Sequence, residues 1–217
     1  MQDIYIYGSG GFAREVAMLI ERINKTDKPT WNILGFIDDD VTKRGEIING
    51  YQVVGNSEVL KGYQLIYVVL GVGSPAAKES IIHNLSTFEH VVFPNIIHPG
   101  VDLHKTNKLG KGNILCAGTV ITCNIEMKDF VTVNISTTIG HDVTLHSYST
   151  ISPNSSISGN VVLKNGVDCG TNATIIQGKV IGKHTIIGAG ATVVKDLPAN
   201  CTAVGSPAKP IKFHTEN

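Results

Sequence analysis

The sequence predicts an α/β N-terminal domain on a small parallel sheet, followed by an all-β domain of stacked parallel rungs. Three observations carry this reading. A six-residue apolar beat runs from Ile97 to Val193. Strand-like and helix-like segments alternate before it. A glycine-rich turn closes the first of those strands. The expected boundary puts residues 1–94 in the first domain and 95–217 in the second.

The first strand reads Gln2 to Gly8 and alternates apolar and polar positions. Gly8-Ser9-Gly10-Gly11-Phe12-Ala13 turns into a helix from Arg14 to about Ile23, with Val16, Leu19, Ile20 and Ile23 apolar. Amides at such a helix start attract phosphate. A second strand, Ile33 to Ile37, ends in Asp38-Asp39-Asp40. A third, Leu65 to Leu70, ends in Gly71-Val72-Gly73. A helix from about Ala76 to Leu85 and a strand around His90 to Phe93 complete the unit. Alternating β and α segments imply a Rossmann-like parallel sheet. Ligands of such sheets bind at the carboxyl ends of the strands, where the Gly8 turn, Asp38-Asp39 and the Gly71 turn would meet.

Gly8-x-Gly10-x-x-Ala13 resembles a dinucleotide fingerprint. The α/β part is only about half of a doubly wound dinucleotide domain, however, and no hydride-transfer domain follows. A nucleotide or nucleotide-sugar needs the same phosphate turn and only half the sheet. A merely tight βα turn is the plain alternative.

In the second domain the beat steps through Ile97, Leu103, Leu109, Leu115, Ile121, Met127, Val133, Ile139, Leu145, Ile151, Ile157, Leu163, Cys169, Ile175, Ile181, Ile187 and Val193. Neither a helix nor an ordinary strand needs this spacing. A hexapeptide repeat does, since one flat rung and a corner take six residues. Three hexads close a triangular coil, so the stretch makes between five and six coils. The fourth residue after each beat tends to be small or β-branched, as at Thr119, Val131, Thr137 and Val143. Gly recurs one residue after the beat, at Gly110, Gly140, Gly170, Gly182 and Gly188. Positive φ at a corner is the expected reason.

The charge balance is neutral, 18 basic against 18 acidic side chains, so no footprint for nucleic acid is present. Leu65 to Leu70 is too short an apolar run to span a bilayer. No basic-then-apolar leader follows Met1, and Cys116, Cys123, Cys169 and Cys201 lack CxxC spacing. A cytoplasmic protein with free thiols, bound neither to nucleic acid nor to membrane, is expected.

Ile181-Gly182-Lys183-His184-Thr185-Ile186 and Ile187-Gly188-Ala189-Gly190-Ala191-Thr192 resemble the hexapeptide acyltransferases, as does the closing Val204-Gly205-Ser206-Pro207-Ala208-Lys209. The Gly-Ser-Gly-Gly-Phe-Ala start, the Gly35-Phe36-Ile37-Asp38-Asp39 segment and the Phe93-Pro94-Asn95-Ile96-Ile97-His98-Pro99 junction narrow the resemblance. Together they are similar to bacterial sugar acetyltransferases of the sialic-acid O-acetyltransferase and bacillosamine-pathway N-acetyltransferase type. The resemblance implies a left-handed parallel β-helix and a homotrimer with active sites at subunit interfaces. It also implies acetyl-CoA as co-substrate, no metal, and a nucleotide-linked sugar as acceptor.

His141, in Ile139-Gly140-His141-Asp142-Val143, is the candidate general base. Imidazoles titrate near neutrality, as a base for acyl transfer should. Asp142 is the adjacent acid, although neighbouring strand residues usually face opposite ways. The resemblance implies that the acid raises the basicity of the His, and that the amide of Gly159, one coil on, holds the oxyanion. It places CoA against Thr150, Thr171 and Ala189, where relatives often carry His at the Thr150 position. It places the sugar nucleotide against Gly10, Gly11, Phe12, Asp38 and Asp39, where relatives commonly have His in place of Phe12. A solvated corner His is the plain alternative for His141.

Three other readings stay open at this point. The acceptor reaction is O-acetylation of sialic acid or another sugar. A trimeric β-helix zinc carbonic anhydrase would use His104, His141 and His146, but its first ligand should fall at position 105, which is Lys105. A non-catalytic trimeric scaffold would keep the beat and need no His–acid pair.

Overall fold

The computed structural model describes residues 1–26 and 28–215. The chain divides into two compact units. The first holds Met1–Gly73 and Ala77–Pro99, and the second holds Ser74–Ala76 and the chain from Gly100 onward.

The first unit is built on β1 (Gln2–Tyr7), α1 (Gly11–Asn24), β2 (Trp31–Ile37), β3 (Ile47–Ile48), β4 (Tyr51–Gly55), β5 (Ile66–Leu70), α2 (Pro75–Asn84) and β6 (Val91–Val92). Strand order is β3-β4-β2-β1-β5-β6. Every neighbour pair is parallel except the β3–β4 hairpin. That hairpin turns through Asn49 and Gly50, both at positive φ, the pairing that two-residue hairpins favour. Ile4, Ile6, Phe36, Ile37, Val53, Ile66 and Val68 form a dry core, with Ala13, Val16, Ala17 and Ile20 of α1 buried as well. The chain leaves β1 for β2 on one side and reaches β5 on the other, so the switch in strand order falls beside the end of β1.

The second unit is a left-handed parallel β-helix of two-residue rungs. One face stacks Val120–Ile121, Thr138–Ile139, Ser156–Ile157, Thr174–Ile175 and Thr192–Val193. A second stacks Lys108–Leu109, Glu126–Met127, Thr144–Leu145, Val162–Leu163 and Val180–Ile181. The third runs Ile114–Leu115, Thr132–Val133, Thr150–Ile151, Asp168–Cys169 and Ile186–Ile187, then Cys201–Val204 and the antiparallel Lys209–Phe213. Pairing joins residues eighteen apart, as Val120 with Thr138 and Thr138 with Ser156. The second residue of each rung points inward, and from Met127 to Val193 every beat residue is buried. Burying one such aliphatic side chain contributes about 1.5–3 kcal/mol. The fourth residue after most beats is buried too, as at Thr137, Val143, Ser155, Val161, Ala173 and Thr185, but not at Val101, Asn107 or Lys179.

Three details depart from expectation. Positive φ falls three residues after the beat, not one, at Asn124, Phe130, Ser136, Asp142, Tyr148, Asn154 and Asn160 among others. The glycines one residue after the beat are small for a steric reason. A Cβ on Gly140 would meet Gly159 N at 2.6 Å, and one on Gly170 would meet Ala189 N at 2.6 Å. At the start of the beat, Leu103 lies outside any strand. After Val193 the coil shortens by two residues, so Leu197 bridges Ile181 and Ala203 pairs with Ile187.

Candidate active site

The corner after Thr138–Ile139 presents Gly140, His141 and Asp142 to solvent, with His141 and Asp142 half-exposed. Asp142 has φ 58°, and this left-handed turn lets its side chain curl back on its neighbour. Its Oδ2 lies 2.8 Å from His141 Nδ1. The concern that adjacent residues diverge does not apply at a corner. Asn124 Nδ2, one coil earlier, donates to Asp142 Oδ1 at 2.9 Å. The His141 and Asn124 bonds hold the Asp142 carboxyl below the ordinary carboxylate range. With Nδ1 occupied, Nε2 is the ring nitrogen left for a substrate.

Gly159 sits directly over that ring. A Cβ there would lie 2.5 Å from both His141 Nε2 and Cε1. The neighbouring amides are bonded within the coil, Ser158 N to Ile175 O at 3.0 Å and Asn160 N to His141 O at 2.8 Å. The Gly159 N–H makes no backbone hydrogen bond among the described residues. An oriented imidazole and an uncommitted amide thus share one corner, the two groups acyl transfer requires.

Of the expected CoA contacts, Thr171 and Ala189 are exposed and stack on one corner, where Gly190 N donates to Thr171 O at 2.8 Å. Thr150 is not with them. It is a rung residue only 5 % exposed, so it offers little side-chain surface to a ligand.

In the first unit, Gly10 caps α1 and no atom comes within 4 Å of where its Cβ would be. Arg14 reaches back toward Gly11, and Phe12 is half-buried in the first turn. Gly8 adopts φ 100°, and a Cβ on it would meet Val72 Cγ1 at 2.9 Å. A Cβ on Gly71 would meet Ala13 Cβ at 2.7 Å. The two glycine turns therefore pack closely at the ends of β1 and β5.

Asp38 and Asp39 take different parts. The Asp38 carboxylate accepts from Ser9 N at 3.1 Å, from the Ser9 hydroxyl, from Asp40 N at 3.0 Å and from Lys43 Nζ at 3.1 Å. Burial pushes this carboxyl up, but the Ser9, Asp40 and Lys43 donors outweigh it and hold it below its ordinary value. Asp38 is thus spent on locking the turn. Asp39 is exposed and accepts from Tyr7 Oη at 2.8 Å through Oδ1. Burial, then that bond to Asp39, raises the Tyr7 phenol.

His104 bonds Thr106 Oγ1 at 2.9 Å, and His146 lies on a different corner from His141. Among the described residues no three metal-ligating side chains converge. No helix among them is long and apolar enough to cross a membrane.

Sequence reasoning missed Asn124, Ser9, Lys43 and Tyr7. Asn124 was legible by stepping back one coil from Asp142. Ser9 and Tyr7 follow only from the β1–β2 register, which sets Tyr7 beside Ile37.

Residues 3–85 match the family described as PglD N-terminal domain. Perosamine N-acetyltransferase from Caulobacter crescentus, solved with CoA and GDP-perosamine, superposes with a TM-score of 0.87 at 26 % identity, covering 98 % of each chain. The acetyltransferase domain of PglB from Neisseria gonorrhoeae, solved with acetyl coenzyme A, gives 0.85 at 27 % identity over 97 % of this chain and 99 % of that one. A 2,3,4,5-tetrahydropyridine-2,6-dicarboxylate N-acetyltransferase from Clostridium perfringens is 49 % identical over 43 residues, 20 % of this chain. The match spans about a fifth of the length of such curated relatives. Over nearly its whole length the chain is thus similar to solved sugar N-acetyltransferases, and over residues 3–85 to the PglD N-terminal domain family.

Proposed function

We propose that this chain is an acetyl-CoA-dependent N-acetyltransferase acting on a nucleotide-linked amino sugar, in surface polysaccharide or glycan biosynthesis. The observation that carries the reading is His141, held through Nδ1 by Asp142 beneath Gly159, whose amide is uncommitted. The N-acetyl reading draws on the descriptions of the similar structures, one of them solved with a GDP-linked sugar. Residues 1–94 would hold the nucleotide-sugar and 95–217 would carry the transfer.

Transfer is direct. The sugar amine adds to the thioester carbonyl while its proton passes to His141 Nε2. The Gly159 amide donates to the oxyanion, with Thr171 and Ala189 lining the approach of CoA. Collapse breaks the C–S bond and the thiolate leaves, taking up the proton from the imidazolium. Asp142 keeps the ring in the tautomer that presents a bare Nε2.

The acting form would be a cytoplasmic homotrimer. Supporting this, the face carrying Val120, Thr138, Ser156, Thr174 and Thr192 has no charged residue on any rung. Val120 on that face is 56 % exposed, and Ile176 at its edge 38 %. Charge depletion marks the core of an interface between copies.

The test is thiol release from acetyl-CoA against nucleotide-linked 3-amino and 4-amino sugars and sialic acid, beside His141→Ala. Release with an amino sugar, reduced about 10²–10⁴-fold in the variant, is expected. Release with sialic acid alone would move the reaction to O-acetylation. An unaffected variant would refute His141 as base.

A further inference from the structure

We infer that the nucleobase of the acceptor sits in the groove beyond Asp38, where Arg44 selects a base with a carbonyl oxygen at pyrimidine C4 or purine C6 over one with an amino group there. This rests on the nucleotide-sugar reading above. The groove holds about 470 Å³ and is lined by Val41, Arg44, Val54, Gly55, Asn56, Glu58 and Val59. That volume lies in the range of small-molecule sites.

Its place in the sheet is the first argument. The groove opens at the end of β4, next to β2 on the side away from β1. Asp38 N donates to Gly55 O at 2.9 Å, and the Asp38 carboxylate grips Ser9 of the phosphate turn. One residue therefore touches both the phosphate turn and the floor of the groove. In an open α/β sheet, a nucleotide whose phosphate sits at the first turn extends its nucleoside across the end of the second strand. Asp39, exposed at that strand end with Oδ1 on Tyr7, is placed for the ribose hydroxyls.

The lining is the second argument. Val41, Val54 and Val59 give apolar walls for a flat ring. The floor is Gly55, which lacks a side chain, and Arg44 lies over it with Nε 3.8 Å from the position a Cβ would take. The other polar groups are largely committed. Asn56 Oδ1 accepts from Glu58 N at 3.1 Å, and Glu58 pairs with Lys61 Nζ at 2.7 Å. The Arg44 guanidinium makes no hydrogen bond or ion pair among the described residues, and it can only donate. Uracil and thymine at C4, and guanine at C6, offer a carbonyl oxygen to such a donor. Adenine and cytosine put an amino group at the corresponding ring position, facing donor with donor.

The experiment is calorimetric binding of UDP, dTDP, GDP, ADP and CDP to the wild-type protein, Arg44→Ala and Arg44→Lys. Arg44 is exposed, so both variants should fold, and their melting curves check this. At least one of UDP, dTDP and GDP should bind wild type tenfold or more tighter than ADP and CDP. Arg44→Ala should erase that margin, and Arg44→Lys should restore part of it. Equal affinity for all five, or an unchanged margin in Arg44→Ala, would overturn the inference while leaving a nucleotide site standing. No binding of any nucleotide to wild type would overturn both this inference and the nucleotide-sugar reading.

Discussion

Adding one methyl group at Gly159 tests the geometry of the His141 corner. Gly159 has no positive φ, so alanine is tolerated by its backbone. The new Cβ would lie 2.5 Å from His141 Nε2 and Cε1. Carbon and nitrogen atoms need roughly 3.5 Å, so the ring must retreat by about 1 Å. It retreats easily, because it is half-exposed. It cannot do so and keep the 2.8 Å contact to Asp142 Oδ2 unchanged. A misplacement of about 1 Å at a catalytic group costs about 10²-fold in rate, equivalent to about 2.7 kcal/mol of barrier. Gly159→Ala should therefore lose about two orders of magnitude in kcat/KM for thiol release. Its melting temperature should stay within a few degrees of wild type, because the strain falls on a solvated side chain. Gly62→Ala, where nothing lies within 4 Å of the new atom, is the control. Full activity in Gly159→Ala would mean that the imidazole works from a different position. Equal losses in both variants would point to a general intolerance of the added methyl.

Other outcomes rest on charge, packing and exposure elsewhere in the chain. Asp38 titrates below an unfolded aspartate, whose pKa is about 3.9, so its contribution is fully present above about pH 4 and is lost as pH falls through the lower folded value. Asp38→Asn should cost about 1–3 kcal/mol at pH 7 and progressively less as pH falls below about 4, read by urea unfolding. A pH-independent difference would contradict the charge-based account. Thr174→Lys plants a cation on the charge-free face, and sedimentation should show single 23.2 kDa chains in place of trimers. A trimer that survives this change would place the interface elsewhere. Cys169 lies fully buried between Ile151 and Ile187, where burial pushes its thiol up, so Cys169→Ser should destabilise by about 1–3 kcal/mol. In the native protein a thiol reagent should titrate the exposed Cys123 and spare the buried Cys116, Cys169 and Cys201.

The repeat was legible because each inward residue answers to the same constraint every six positions, and no tertiary accident can shift one without shifting the rest. Corner chemistry was harder to read. Gly140 and Asp142 both sit at turns, and only the coil above shows that the first is small for clearance and the second is left-handed. The bond from Asp142 to His141 depends on that left-handed turn, which composition does not announce. In the first unit, α1 and β5 followed from apolar periodicity. The β3–β4 hairpin was signalled by Asn49-Gly50, yet its two-residue strand is too short to show an alternation. Asp38 and Asp39 look equivalent in sequence. Their separation into a lock and an open carboxylate comes from the parallel register of β1 and β2, a long-range fact.

The eighteen-residue coil also fixes how this half of the chain can tolerate changes in length. One added residue inside a rung would turn every later aliphatic out toward water and every corner inward. Six added residues would restore the interior but rotate all later coils by a third of a turn, moving Gly159 off His141 if placed between them. Eighteen would restore both interior and walls, yet between His141 and Gly159 even that lifts the amide one storey away. Beyond Gly159 a whole coil can be gained or lost with the corner intact. Whole coils gained or lost among the relatives of this chain should therefore avoid the span from His141 to Gly159, while small changes belong at corners, as in the two-residue shortening after Val193.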